Sequence, residues 1–330
     1  MGGFELYLFR HNTWSKLFNC SMKTSSQWYA YGTTNVPFGI YCFLIGSFYM
    51  VSTVPCVYVM IRTKSLRIHA SYKIMTFLSI MQCTSLLINC FMTGYLFIDG
   101  AVFCNYPHQI YIASCMMYGL WEAQLSTCVL LAFNRLMEFW NAKCISRYFD
   151  GRRVFFWFIG PIAIGVFYAF HGSASLFNST YWNWLQDPYI GTDIEHDPES
   201  YISNSAIYAN MTCEIVIAIM YTVLVGSLIW QSRKANAKVM SKLQRSITIQ
   251  SALLTSLDFV TGFAYVYMNY GVAGEPLIVF SLITYQASCG IGGVVYIAFN
   301  KTIRSQLLPH FPKNTIAVVS ITPNRVGNPN

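Results

Sequence analysis

Seven long stretches of this chain carry so little charge that a lipid bilayer is the environment that suits all of them. They run over about 36–61, 74–98, 110–137, 154–171, 206–230, 247–269 and 277–299. A hydrocarbon core about 30 Å thick takes roughly 20 apolar residues of helix, and the seven meet or approach that length. The first, second and seventh contain no Asp, Glu, Lys or Arg. The third encloses Glu122 and ends at Arg135, the fifth holds Glu214 and the sixth holds Asp258. Only 10% of the residues are charged, against about 25% in a soluble domain. The expected fold is therefore an all-α membrane protein with seven transmembrane helices. Residues 1–35 form an N-terminal segment, 36–299 the bundle, and 300–330 a short amphipathic helix and tail.

Orientation follows from the basic residues, because Lys and Arg near span ends are retained in the cytoplasm. The loops after the first, third and fifth stretches and the C-terminal tail hold 18 of the 21 basic residues and two acids, Glu138 and Asp150. The opposite loops contain no Lys or Arg; with the N-terminal segment, that side has three basic residues and eight acids. This places the N-terminus outside and the C-terminus inside. The net charge of +8 then points to lipid headgroups and a cytoplasmic partner, and nucleic acid is excluded as a partner. The first 35 residues include Arg10, Lys16 and Lys23 and lack an apolar run long enough for a cleavable signal. The first stretch is expected to act as the targeting signal itself. No internal repeat is visible.

Outside, Asn19-Cys20-Ser21 and Asn178-Ser179-Thr180 are glycosylation sequons, the first well clear of the membrane. Asn210 lies too near the membrane and Asn300 on the wrong side. Seven of the eleven cysteines fall inside apolar stretches, where they act as small hydrophobes. Cys20 and Cys104 lie outside, with Cys213 at the boundary. A disulfide Cys20–Cys104 would tie the N-terminal segment over the third span. Cys104–Cys213 would instead tie the third span to the fifth. The exterior loop over about 172–205 carries Asp-Pro turns and two Trp, which read as a structured lid or as a solvated acidic loop.

Inside, a carboxyl at mid-membrane costs about 2.5–3.5 kcal/mol and turns toward the bundle interior. Glu122, Glu214 and Asp258 are thus candidates for ligand contact or for hydrogen bonds between helices, with Asn89, Gln124, Gln250 and Gln286 as possible partners. Tyr118, Trp121, Phe263, Tyr267, Phe280 and Tyr285 sit in the outer halves of the third, sixth and seventh spans, where they line a pocket or face lipid. The run from Ala287 to Gly293 is nearly all small residues, which permits close packing or a hinge. No cluster of residues calls for a metal or other cofactor.

Several stretches, in this order and spacing, resemble nematode serpentine chemoreceptors, most of all class T, the Srt family. They are Phe18-Asn19-Cys20-Ser21 with Trp28, Pro55-Cys56-Val57-Tyr58, Ser71-Tyr72-Lys73-Ile74-Met75, Gly100-Ala101-Val102-Phe103-Cys104, Leu131-Ala132-Phe133-Asn134-Arg135 and Tyr296-Ile297-Ala298-Phe299-Asn300. The resemblance spans about 18–312 and implies a rhodopsin-like bundle, a plasma-membrane receptor of chemosensory neurons, a small extracellular ligand and a heterotrimeric G protein. It implies that Asn134 and Arg135, Lys238 and Lys242 of the basic third inner loop, and Tyr296 serve G-protein coupling. Asn134 stands where most such receptors have an acid, Gly292-Gly293 stand where they have Asn-Pro, the second span has no acid and the sixth no proline.

The alternative is a seven-span transporter of a small solute, which needs two similar halves; spans one to three and five to seven do not match. An intramembrane zinc enzyme needs clustered His and Asp, but all six His lie at edges, loops or tails. No enzyme activity is expected. A retinal pigment is disfavoured by the lack of Lys in the seventh span.

Overall fold

Apolar runs of this length leave the backbone no partner but itself, so they close into helix. The computed structural model describes residues 2–140, 147–149, 151–202, 204–232, 242–270 and 274–307. The bundle helices, here numbered one to seven, are Val36–Arg62, Ala70–Asp99, Pro107–Phe139, Val154–His171, Asn204–Ser232, Lys242–Tyr270 and the pair Glu275–Gly290 with Gly292–Phe299. Helix one starts where the Asn35 side chain accepts a bond from the Phe38 amide, with Pro37 in its first turn. Helix two stops at Gly100, whose φ of 70° is left-handed and free of penalty only for glycine. A final helix, Lys301–Leu307, begins where Asn300 Oδ1 accepts from the Thr302 and Ile303 amides, and it buries Ile303 against the bundle.

Five helices, or six with the bent pair counted as one, are long and apolar enough to cross a membrane on their own. Helix three is not among them, although it is the longest at 33 residues. Its polar residues account for this, and its surroundings make them tolerable. Most of its middle is buried in protein, including Glu122, Gln124, Asn134 and Arg135, so its polar side chains meet other helices and not lipid. Helix four has the opposite character, with most of its surface left open to lipid.

Glycines set the closest helix contacts. A Cβ added to Gly119 of helix three would lie 2.6 Å from the Gly165 carbonyl oxygen of helix four, and one on Gly165 would lie 2.8 Å from Gly119 O. Gly39 and Gly94 hold helices one and two in the same reciprocal way. Helix seven bends by 52° at Ile291. Gly293 beyond the bend touches the Ser52 backbone of helix one. The small-residue run thus does both things open to it, packing closely and bending. The bend interrupts the helical ladder, and Thr53 repairs it: its hydroxyl donates to Gly290 O at 3.4 Å and accepts from Gly293 N at 3.1 Å. Helix two carries its own irregularity, a wide π turn over Leu87–Met92. Gln286 Nε2 of helix seven donates to Asn89 O within that turn.

The outer face is covered. Helices Gly3–Phe9 and His11–Leu17 pack over helices three and four. Tyr111 donates to Gly3 O, and His171 at the end of helix four meets Glu5 at 2.8 Å. The long exterior loop folds into an antiparallel hairpin, Leu176–Asn178 with Asn183–Leu185, paired Phe177 to Trp184. It is a structured lid. Trp182 at its turn has φ 59°, an uncommon backbone for a bulky residue. Cys20 and Cys104 are joined as a disulfide, with Cα atoms 5.3 Å apart, which fastens the N-terminal segment above helix three. Cys213 is free.

Candidate functional site

The lid hairpin is pinned to four helices through Trp184, one of the two Trp that read as a lid, and through Thr93, Ser114, Asn183, Tyr265 and Ser281, which the sequence did not single out. Trp184 Nε1 donates to Thr93 Oγ1 of helix two at 3.0 Å. The Ser175 amide donates to Ser114 Oγ of helix three at 2.6 Å. Asn183 accepts from the Tyr265 hydroxyl of helix six and donates to Ser281 Oγ of helix seven. Tightly placed, the hairpin roofs a cavity of about 90 Å³ between helices three, five, six and seven. Tyr118, Trp121 and Tyr285 line it, as do Trp184 and Tyr265. Trp121 stands edge-on to Tyr285 at 5.2 Å, and its Nε1 donates to Asn210 Oδ1 of helix five at 2.8 Å. The Tyr285 hydroxyl and Thr261 Oγ1 also border the cavity, and among the described residues they have no hydrogen-bond partner.

Phe263, Tyr267 and Phe280 do not join this cavity. They lie on the outward faces of helices six and seven, 60%, 50% and 47% exposed, around a shallow apolar groove. Their expected place in the pocket is corrected by helical phase: helix six turns Thr261 and Tyr265 inward, which puts the intervening Phe263 outward.

The three carboxyls lie below the cavity and are buried. Glu122 sits beside Tyr118 and within electrostatic reach of Glu214. Glu214 presses its carboxyl onto Gly262 of helix six, where any side chain would collide with it. Asp258 Oδ1 accepts from Gln124 Nε2 at 2.6 Å and Oδ2 from the Cys128 thiol at 3.1 Å, tying helix six to helix three. Gln124 is thus a partner, whereas Asn89 and Gln286 serve the helix two to seven contact. Deeper still, Gln82 donates to Ser288 O, and Ser79 bonds the Tyr296 hydroxyl at 3.1 Å. Gln250 belongs to the inner end, near Asn300 and Tyr72.

At that inner end Arg135 is 3% exposed. It does not snorkel to the surface. Its Nη2 donates to Asn134 Oδ1 at 3.1 Å and lies 3.1 Å from Glu138 Oε2 one turn further along helix three. Ser71 of helix two donates to Asn134 Oδ1 at 2.6 Å and to Glu138 Oε1 at 3.3 Å. The acid absent at position 134 is therefore supplied at 138. The signal was in the sequence, as an Arg with a Glu three residues on, which share a helix face. Lys242 opens helix six; Lys238 lies outside the described residues.

The two sequons differ. Asn19 is half-buried, its Oδ1 accepting from the Ser21 amide and hydroxyl. Asn178 is 5% exposed within the hairpin, and its Nδ2 donates to Ile190 O. The folded lid leaves no room for a glycan on Asn178, which corrects that expectation. Elsewhere on the lid, Lys23 pairs with Asp193 at 2.7 Å. The bond from Lys23, then that from the Tyr31 hydroxyl, hold the Asp193 carboxyl below its usual range. His196 Nε2 meets Asp187 Oδ1 at 2.8 Å. Burial opposes protonation of His196, but the bond to Asp187 and the carbonyl of Ile194 outweigh it and raise its pKa.

Comparison with known proteins agrees with this architecture. A family model described as serpentine type 7TM GPCR chemoreceptor Srt matches residues 5–318. Serpentine receptor class T-55 of Caenorhabditis elegans is 28% identical over 301 residues, covering 88% of this chain and 79% of that protein. Squid rhodopsin superposes with a TM-score of 0.61 at 15% identity, over 88% of this chain and 82% of its own.

Proposed function

We propose a signalling route for this chain, which belongs to the Srt family of serpentine seven-transmembrane GPCR chemoreceptors. The protein is a multi-pass membrane receptor of chemosensory type with a rhodopsin-like bundle. Our reading is that a small extracellular ligand occupies the cavity under the hairpin, against Trp121 and Tyr285, with a polar group on Thr261 or the Tyr285 hydroxyl. The state that binds it better gains population at the expense of the other. In that state Arg135 leaves Glu138, the inner ends of the helices part, and a heterotrimeric G protein engages Arg135, Asn134, Tyr296 and the basic segment containing Lys238 and Lys242. The working site is the plasma membrane of a chemosensory neuron, with a glycan on Asn19.

One observation supports this route above others. Separate buried polar pairs, Trp121–Asn210, Gln124–Asp258–Cys128, Gln82–Ser288 and Ser79–Tyr296, stand at successive depths between the cavity and the level of Arg135. A transporter would need access from both sides to a midplane site; here the outer side is roofed, and at the inner end Ser71 of helix two bonds Asn134 and Glu138 beside the buried Arg135. The test is expression with a G-protein reporter against a chemical panel. Tyr285→Leu is expected to remove the response to an active compound, and Arg135→Ala to remove all signalling, with surface delivery intact in both. Signalling that survives Arg135→Ala overturns the assignment at the inner end.

A further inference from the structure

A second cavity opens far from the ligand site. It is a groove of about 910 Å³ between the inner ends of helices two and four, and it faces the bilayer. Its mouth carries three basic side chains: Arg67, Lys73 and Arg152. Its depth is apolar, walled by Phe77 and Ile80 of helix two and by Phe155 and Phe158 of helix four. Among the described residues, no carboxylate lines it.

Both walls change character in the same direction. Helices two and four each run from the cytoplasmic side outward. On helix two, Lys73 precedes Ile80 by seven residues, a descent of ~10 Å into the membrane at 1.5 Å per residue. On the other wall, Arg152 precedes Phe158 by six, a similar depth. Cations therefore stand at headgroup level, and rings and aliphatic side chains at acyl-chain level. Arg67 and Arg152 are exposed. Lys73 donates to Gly151 O and lies 5.9 Å from the Phe155 ring centre, which holds its ammonium across the mouth. Phe77 and Phe158 stack at 4.4 Å and form the floor. Ile80 and Phe155 are half exposed, so the groove offers uncovered apolar surface to whatever enters from the side.

We propose that this groove is a binding site for an anionic phospholipid of the inner leaflet, its phosphate at Arg67, Lys73 and Arg152 and an acyl chain along Ile80, Phe77 and Phe155. Charge complementarity with the anionic inner leaflet selects the occupant. A soluble anion would match only the mouth and leave the apolar wall bare. A cytoplasmic peptide would approach along the membrane normal, toward Arg135, and not from the side.

The experiment uses the full-length receptor purified in a neutral phosphatidylcholine nanodisc. Fluorescent phosphatidylserine and fluorescent phosphatidylcholine are compared as ligands, with inorganic phosphate and free glycerophosphoserine as competitors. The triple variant R67Q/K73Q/R152Q is set against R62Q/K64Q/K301Q, which removes the same cytoplasmic charge elsewhere. Expected is saturable binding of phosphatidylserine. The groove variant weakens it by roughly fivefold per charge, on the order of a hundredfold in all, and the matched control by less than fivefold. Ile80→Trp, which fills the groove and keeps every charge, is expected to weaken it at least tenfold. Each variant is also scored by the rise in its own thermal midpoint on adding phosphatidylserine, so a variant of lowered stability still reports binding. Equal loss in both triple variants, equal affinity for phosphatidylcholine, no effect of Ile80→Trp, or full displacement by phosphate alone each overturns the proposal.

Discussion

Replacing Glu138 by Gln removes one charge from the inner latch and changes almost nothing else in shape. Arg135 then remains buried against Asn134 Oδ1 and a neutral amide in place of the carboxylate. Losing the partner of a fully buried ion costs about 3–5 kcal/mol, whereas an exposed pair is worth about 0.2–1. This pair lies between those limits, since the Arg135 side chain is 2% exposed and that of Glu138 is 30% exposed. The Gln amide oxygen also keeps part of the hydrogen bond. We therefore assign about 1–2 kcal/mol to the charge, which shifts the balance of latched and released states by roughly 5- to 30-fold. A receptor with about 1% of unliganded molecules released would rise to roughly 5–20%. The assay is ligand-free reporter output divided by the amount of receptor at the cell surface. Ser71→Ala, which removes a donor from Asn134 and Glu138 together, is expected to change output in the same direction by a smaller factor. Unchanged or lower ligand-free output from Glu138→Gln would refute the latch.

Three further outcomes follow from the structure. Cys104→Ser opens a closure of 84 residues, worth up to about 4–5 kcal/mol in the chain-entropy model; the thermal midpoint and surface delivery both fall, and Cys20→Ser matches it. Thr53→Val leaves Gly290 O and Gly293 N without their bridge at the bend, lowering stability by about 1–3 kcal/mol in a thermal unfolding assay, while the neighbouring Val54→Thr on the lipid side changes it little. The pKa of His196 is raised in the folded lid, so its stabilising effect is complete below about pH 6.5 and is lost as pH rises through the higher folded value; lid protection in hydrogen exchange should fall from pH 6 to pH 8, and His196→Gln should flatten that dependence.

The helices were legible because lipid imposes a single rule on backbone, and charge asymmetry then set the direction of threading. The first helix also begins where its apolar run begins, at Val36, and the second ends one residue past the expected 98. What the sequence concealed was rotation and depth. Phe263 and Trp121 are both aromatic residues in outer half-spans, yet one faces lipid and the other the cavity, a matter of helical phase set by neighbours. A structured lid was one of two readings of the exterior loop, but its anchors were hidden for another reason. Asn183, Thr93 and Ser114 look like ordinary loop and helix residues until the lid and the helices converge on them. At the inner end, attention to position 134 drew the eye from Glu138, although the three-residue spacing to it from Arg135 was in plain view. Asn178 shows the limit of motif reading, since a sequon records nothing of burial.

The enclosure of helix three has a bearing on how the protein is made. A segment leaving the ribosome is weighed against lipid by its own composition, before any neighbour embraces it. Glu122, Gln124, Asn134 and Arg135 all weigh against entry, and the contacts of the helix come from segments on both sides in the chain: Ser71, which bonds Asn134, has already emerged, while Gly165, packed on Gly119, and Asp258, bonded to Gln124, have not. The central pillar of the receptor is thus the member least able to take its place alone. Its insertion is therefore expected to depend on the later segments, so that a chain cut short before Val154 integrates this helix less well than the full chain does.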